Sequence, residues 1–203
     1  DKKKFYEPML AQDFKNKNRN KEVMGEIGSE ADNTTGYGAA VFSQPKLDGI
    51  RCIARREGLF TRAGKEIVAV PHISEALEPF FEKYPNAILD GELYNHKYKN
   101  DFNKIIHLVR KQNLTEEHLE ESLMVEYHIY DAPVIGEAQP TAHSNFTEKD
   151  LYSDRTSVLD AQFRNLKLNQ GDVDYWESPL VIVETTEVNS KEHLDELYGE
   201  YVE

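Results

Sequence analysis

The chain has 203 residues, a single cysteine, 39% hydrophobic and 30% charged residues, and a formal net charge of -13. That length suits one sizeable domain with a real core. The lone Cys52 excludes an intrachain disulfide framework and a thiolate cluster for zinc, and no apolar run approaches the roughly 18 to 20 residues of a membrane span. The start, Asp1-Lys2-Lys3-Lys4, carries no apolar segment and no small-residue cleavage pattern, so a cytoplasmic protein with no membrane partner is expected. The charge is uneven. Residues 1 to 111 hold 19 Lys+Arg against 16 Asp+Glu, whereas residues 112 to 203 hold 5 against 21. A chain polarised in this way can keep a neutral or basic face for nucleic acid despite its overall acidity, the acidic remainder acting as solvated surface.

In chain order, Lys15 to Lys21 alternates basic residues with Asn and reads as an exposed loop, and Asn33 to Gly38 reads as a turn. Ala39 to Ser43 fits a short strand leading to Lys46. Ile50 to Arg55 alternates apolar and charged residues, and Glu57-Gly58 supplies a turn before Leu59 to Thr61, which predicts a hairpin. Ile73, Leu77, Phe80 and Phe81 recur at helical spacing after Pro71, predicting a helix from His72 to Lys83. Ala87 to Tyr94 reads as a strand, followed by a helix carrying Phe102, Ile105, Ile106 and Val109 with Asp101 at its N-terminus. A further strand is expected from Leu123 to Tyr130, with Pro133, Gly136 and Pro140 breaking the chain and a loop from Ala142 to Glu148. A helix from Leu151 to Leu166, a strand from Leu180 to Glu184 and a helix from Ser190 to Tyr201, capped by Ser190, complete the chain. Regular β-α alternation is not kept, so the fold class is α+β.

The chemistry concentrates before residue 132. Lys46-Leu47-Asp48-Gly49-Ile50-Arg51 places a lysine after a strand and a glycine where a tight bend is expected. One K-x-D-G is weak, since about a few per cent of chains this long carry it by chance, and the plain reading is a surface turn. Thr61-Arg62-Ala63-Gly64-Lys65 brings two cations and a glycine after the hairpin. In Leu89-Asp90-Gly91-Glu92, the two acids at i and i+2 project from one face of a strand and repel unless a cation, metal or donor offsets them. Tyr127 to Asp131 places aromatics and a carboxylate at the end of a strand, where core packing is the plain role of each tyrosine.

Taken in order over Gln44 to Asp131, these elements resemble ATP-dependent DNA ligases, particularly compact phage-type ones. In that superfamily K-x-D-G is followed by S/T-R-x-G, then D-G-E, then an aromatic-Asp pair ending a strand. The resemblance implies a nucleotidyltransferase (adenylation) domain with antiparallel sheets and flanking helices. It implies that Lys46 is the nucleophile that attacks the α-phosphate of ATP, expels pyrophosphate and holds AMP. Attack requires the neutral amine, which Arg51, Arg62, burial or a metal ion can favour. By the same resemblance, Arg51 contacts the nucleotide sugar or a DNA phosphate, and Arg62 helps hold sugar and phosphate. Glu92 binds ribose or assists the metal, and Tyr130 stacks on adenine. Gln44 stands where many relatives have Glu as a base-reading residue. Magnesium (Mg2+) is implied with ATP, and nicked double-stranded DNA is implied as the partner of a monomer in the cytoplasm of a bacterial or phage-infected cell, the nucleus being the secondary alternative.

The family continues with an E-G-x-V strand, a K-x-K strand and an OB-fold domain. None of these occurs here, so residues 1 to 203 are expected to be an adenylation domain without its C-terminal part, unable to seal nicked DNA unaided. An RNA ligase or an mRNA-capping guanylyltransferase shares the lysine chemistry, and a non-catalytic nucleotide- or DNA-binding fragment is the distant alternative. No P-loop, dinucleotide-binding glycine motif or nucleophile elbow is present, and the seven histidines lack metal-ligand spacing. Asp90 and Glu92 on one strand cannot straddle a sugar bond as glycosidase acids do.

Overall fold

The computed structural model describes residues 6, 8, 41–135, 152–170 and 178–202. The expected loops at Lys15 to Lys21 and Ala142 to Glu148 and the turn at Asn33 to Gly38 lie outside these. The chain divides into two compact units, one comprising Asp1–Pro8 with Leu47–Val183, the other Met9–Lys46 with Glu184–Glu203.

The first unit is built on a six-stranded sheet. Its strands are β2 (Ile50–Arg55), β3 (Gly58–Thr61), β4 (Glu66–Ile67), β5 (Ile88–Tyr94), β6 (Glu126–Val134) and β7 (Leu180–Ile182), in spatial order β4-β3-β2-β5-β6-β7. All pairings are antiparallel except β6 with β7. The hairpin forms where expected because Gly58 takes φ +139°, a conformation closed to side-chain-bearing residues.

Alternation along β2, β5 and β6 sends Cys52, Ala54, Leu89, Leu93, Tyr127 and Ile129 into one core. Three helices bury their apolar stripes in that same core: α1 (Pro71–Lys83), α2 (Phe102–Arg110) and α4 (Tyr152–Leu166). α1 starts on Pro71, whose missing N–H is no loss at a first helical position. Pro79 lies within α1 at an exposed position, where its ring leaves the carbonyl of Glu75 without a helical donor. Asp101 caps α2, its Oδ1 accepting from the N–H of Lys104 at 3.1 Å. The centre of the core is aromatic, with Phe80 of α1 and Phe163 of α4 fully buried and their ring centroids 5.2 Å apart.

The structure departs from the sequence expectation around residue 123. Leu123 begins no strand; it ends a short helix, α3 (Glu116–Ser122), and is 61% exposed. β6 instead starts at Glu126 and runs through Pro133, which was expected to break the chain. Pro133 is accommodated because β7 pairs only with Tyr127 to Ile129, so no partner on that side needs its N–H.

In the second unit, β1 (Val41–Ser43) pairs antiparallel with β8 (Thr186–Val188), Phe42 lying opposite Glu187. Helix α5 (Lys191–Val202) follows, Ser190 Oγ accepting from the N–H of His193 at 3.1 Å as its cap. No helix among the described residues is long and apolar enough to cross a membrane.

A polar bridge ties the start of β6 to the chain after α4. His128 Nε2 donates to Glu126 Oε2 at 3.0 Å, and Gln170 Nε2 donates to Glu126 Oε1 at 3.2 Å. Burial pushes the Glu126 carboxyl up, but these donors outweigh it and hold the group below its ordinary value. A depressed carboxyl stabilises the folded state above its unfolded pKa, about 4.3, and loses that contribution as pH falls through the lower folded value. The stability difference between the parent chain and Glu126→Gln, from urea unfolding, should therefore be full at pH 7 and start to shrink as pH falls below the unfolded value, vanishing only below the lower folded value; a pH-independent difference contradicts this. Phe163→Ala should cost about 3 to 5 kcal/mol in the same measurement, and a loss under 1 kcal/mol would show that the aromatic centre is not the main packing contact.

Candidate nucleotide site

The face of the large sheet opposite the helices carries the polar chemistry. Arg51 lies across from Glu92 and Ile53 across from Asp90, while on the other side of β5 Glu92 faces His128 and Asp90 faces Asp131. Since Leu89, Leu93, Tyr127 and Ile129 point to the core, strand alternation places Arg51, Asp90, Glu92, His128 and Tyr130 on the opposite side. Four positions from three motifs are thereby brought together, although they are up to 79 residues apart in the chain.

Asp90 anchors this face. It is 4% exposed, and Arg51 grips it with two bonds, Nε to Oδ1 at 3.0 Å and Nη2 to Oδ2 at 2.7 Å. The Tyr130 hydroxyl donates to the same carboxylate, and the Arg51 guanidinium carbon lies 5.8 Å from the centre of the Tyr130 ring. Burial raises the Asp90 carboxyl above its ordinary value against the pull of Arg51 and Tyr130. The hydrogen bonds that Arg51 donates to Asp90 in turn hold its guanidinium above its own ordinary value, and burial pushes the Tyr130 phenol up. Arg51 is thus the cation that offsets the paired acids of β5. Its charge is committed to Asp90, and what it offers a ligand is its remaining N–H edge.

Both motif glycines are required by close approach of backbone. A Cβ at Gly91 would sit 2.7 Å from Cε2 of Tyr127 and collide with the carbonyl of His128. One at Gly49 would sit 2.8 Å from Cγ of Glu92 and collide with the carbonyl of Leu93. Gly49 takes no positive φ, so the expected reason, a tight bend, gives way to packing of the K-x-D-G backbone against the D-G-E strand.

A second Arg-Asp fork lies at the far end of β6. Arg155 of α4 binds Asp131 through Nε at 3.0 Å and Nη2 at 2.8 Å, and Tyr152 donates its hydroxyl to the Tyr130 carbonyl at 2.9 Å. These bonds fix the backbone that carries Tyr130. Neither was legible in sequence, because α4 meets β6 across more than 20 residues; nor was the role of Asp90, which depends on the register of β2 with β5.

A cleft of about 600 Å³ opens beside this face and is lined by Gly49, Arg51, Thr61, Arg62, Lys65 and Glu92 among others. It joins three of the predicted site residues, Arg51, Arg62 and Glu92. The remaining predicted residues fall elsewhere: Tyr130 is on the same sheet face outside the cleft lining, and Gln44 and Lys46 belong to the second unit. Gln44 Nε2 donates to Thr185 Oγ1 at 2.9 Å. Lys46 is exposed and stands three positions before Gly49 in the chain. No cluster of three or more His, Cys, Asp or Glu residues suited to a metal ion occurs among the described residues.

The sequence profile of the ATP dependent DNA ligase domain matches residues 8–203. No curated protein sequence matches the chain. Among solved structures, the fold is similar to that of a Lig E DNA ligase (20% identity, TM-score 0.53, covering 87% of this chain and 56% of that one). It is also similar to the Chlorella virus DNA ligase-adenylate (13%, TM-score 0.55, 87% and 55%) and to the ATP-dependent DNA ligase of bacteriophage T7 in complex with ATP (15%, TM-score 0.53, 89% and 55%). At these identities the likeness is one of fold, and the chain spans little more than half the length of each. The profile match over nearly the whole chain, together with an α+β fold of antiparallel-rich sheets, establishes that the chain belongs to the ATP-dependent DNA ligase domain family.

Proposed function

We propose that the chain carries the ATP-handling step of a DNA ligase, with Lys46 as the residue that becomes adenylylated. The observation that supports this most is the convergence of Arg51, Asp90, Glu92 and Tyr130 on one sheet face, in a chain that the ATP-dependent DNA ligase domain profile matches over residues 8–203. The Lys46 amine attacks the α-phosphate of ATP, a P–N bond forms, the bond to the β-phosphate's bridging oxygen breaks, and pyrophosphate leaves with the electron pair. The amine's proton goes to solvent.

The chain's own residues bind and orient. Tyr130 offers its ring to adenine, the free edge of Arg51 and the exposed Arg62 meet sugar and phosphate oxygens, Glu92 takes a ribose hydroxyl, and Gln44 reads the base edge. A single carboxylate beside substrate phosphates fits magnesium, which keeps several waters and uses one or two carboxylates; Glu92 is the residue that would share it, Asp90 being taken by Arg51. When bound, the ion supplies charge neutralisation at the triphosphate. The AMP then passes to a DNA 5′-phosphate and a 3′-hydroxyl displaces it, sealing a nick. We place the reaction in a bacterial or phage-infected cytoplasm, with the protein acting as a monomer.

Intact mass after incubation with ATP and magnesium should show the gain of one AMP in the parent chain and none in Lys46→Ala. A covalent product with GTP only would assign the chain to capping chemistry, and no covalent product with either nucleotide would leave a binding fragment.

A further inference from the structure

The chain between α2 and β6 is held by polar side chains rather than by the core. No residue between Val109 and Val125 belongs to the hydrophobic core cluster, and only Met124 packs against it. The buried residues of α3 are His118 and Ser122, and Leu123 after them is 61% exposed. Three side chains secure the segment by binding backbone carbonyls. His118 Nε2 donates to the Leu108 carbonyl of α2 at 3.0 Å, Asn95 Nδ2 to the Met124 carbonyl at 2.6 Å, and His72 Nε2 to the Val125 carbonyl at 2.8 Å. Two of the three donors are histidines, one at each end of the segment.

A carbonyl only accepts, so each ring carries its proton on Nε2 and is neutral with a lone pair on Nδ1. Both Nδ1 atoms are buried and have no hydrogen-bond partner among the described residues. A proton added there would place a charged donor where no acceptor meets it. For His72 the position adds a second penalty. It follows Pro71 in the first turn of α1, where the helix dipole disfavours a cation and no acidic residue of that turn offsets it. Burial accordingly holds the His72 ring below the ordinary histidine value, against the pull of its bond to Val125 and of Glu75 one turn on. Glu126, next to Val125, is taken by His128 and Gln170, with Lys97 acting on it. Around His118 stand His107 of α2, its ring centroid 6.0 Å away, and Glu117 beside it in α3. Lys104 of α2 and Glu121 of α3 answer each other at 3.5 Å.

We propose that α3 and its junction with β6 form a pH-sensitive latch, closed while His72 and His118 are neutral and released when they take up protons. The six-stranded sheet stays folded on release, because its core owes nothing to residues 111–123. What loosens is the end of α2 and the start of β6, the strand that carries Tyr130 further along. The sign follows from linkage. A histidine held neutral in the docked state contributes fully above its released value, about 6.5, and progressively less as pH falls below it.

Amide hydrogen exchange of the chain at pH 7.5 and pH 5.5, corrected for intrinsic rates, tests this. Protection across α3 and Leu123 to Val125 should fall about tenfold for each histidine that is neutral when docked and titrates near 6.5 when released, while β2 and β5 keep theirs. His72→Gln, which retains a donor for the Val125 carbonyl without a titrating ring, should remove part of the fall, and adding His118→Gln should abolish it. The Glu126 carboxyl titrates below this range and does not contribute to it. Equal protection of α3 at the two pH values in the parent chain, an undiminished fall in the double variant, or a fall shared by β2 and β5 overturns the proposal. If the double variant does not fold, ring-proton signals of the parent chain decide. The His72 midpoint should lie below the ordinary histidine value and coincide with the loss of protection in α3, whereas a midpoint at about 6.5 with α3 still protected sinks the latch.

Discussion

One buried carboxylate organises the candidate nucleotide face. Asp90 is nearly inaccessible, and an ion taken out of water costs several kcal/mol unless its oxygens are satisfied. Arg51 satisfies both oxygens with a fork, and Tyr130 adds a hydroxyl. The consequence reaches beyond stability, because the same contacts fix the rotamers of the two side chains expected to meet the nucleotide. Removing Asp90 would leave a half-buried guanidinium without its partner and a tyrosine without its hydroxyl bond to that carboxylate, so the fold and the site depend on it together.

The glycines of the two motifs serve the same end. Gly49 lets the chain after Lys46 lie against Glu92 and Leu93, and Gly91 lets β5 pass over the buried ring of Tyr127. Tyr127 itself donates to the Cys52 carbonyl at 3.0 Å from inside the core, giving a hydroxyl that could not stay unbonded there a partner. Close backbone contact therefore joins Gly49 to the D-G-E strand within the first unit, and this explains in steric terms why glycine stands at both places. Behind Tyr130, Arg155 and Tyr152 of α4 hold the strand, so three elements separated in the chain set the position of one ring.

Much of this was legible in the sequence where pattern and physics coincide. The β2–β3 hairpin, α1, β5, α2, α4 and α5 follow from alternation, helical spacing and caps such as Asp101 and Ser190, and the shared face of Asp90 and Glu92 follows from strand geometry. α3 was not legible, because its buried face is polar: His118 is 2% exposed and gives its Nε2 to the Leu108 carbonyl at 3.0 Å, and Ser122 is fully buried. Hydrophobic periodicity cannot see such a helix; Thr115, which accepts from the His118 N–H at 3.2 Å, followed by two glutamates was the signal available. The apolar Leu123-Met124-Val125 run then drew the strand expectation too early. β4 and β8, two and three residues long, are too short to display a period. In the site, residue types could be matched to roles but register could not, and register is what gives Arg51 to Asp90.

Under the proposed function, the sheet face around Asp90 is a pre-formed nucleotide platform. A crystal structure of the chain after incubation with ATP and magnesium tests this most directly. The adenine ring should lie against Tyr130 with Arg51 still forked on Asp90 and its remaining edge on the nucleotide. A nucleotide bound away from this face, or an Arg51 that leaves Asp90 to reach the ligand, would contradict it.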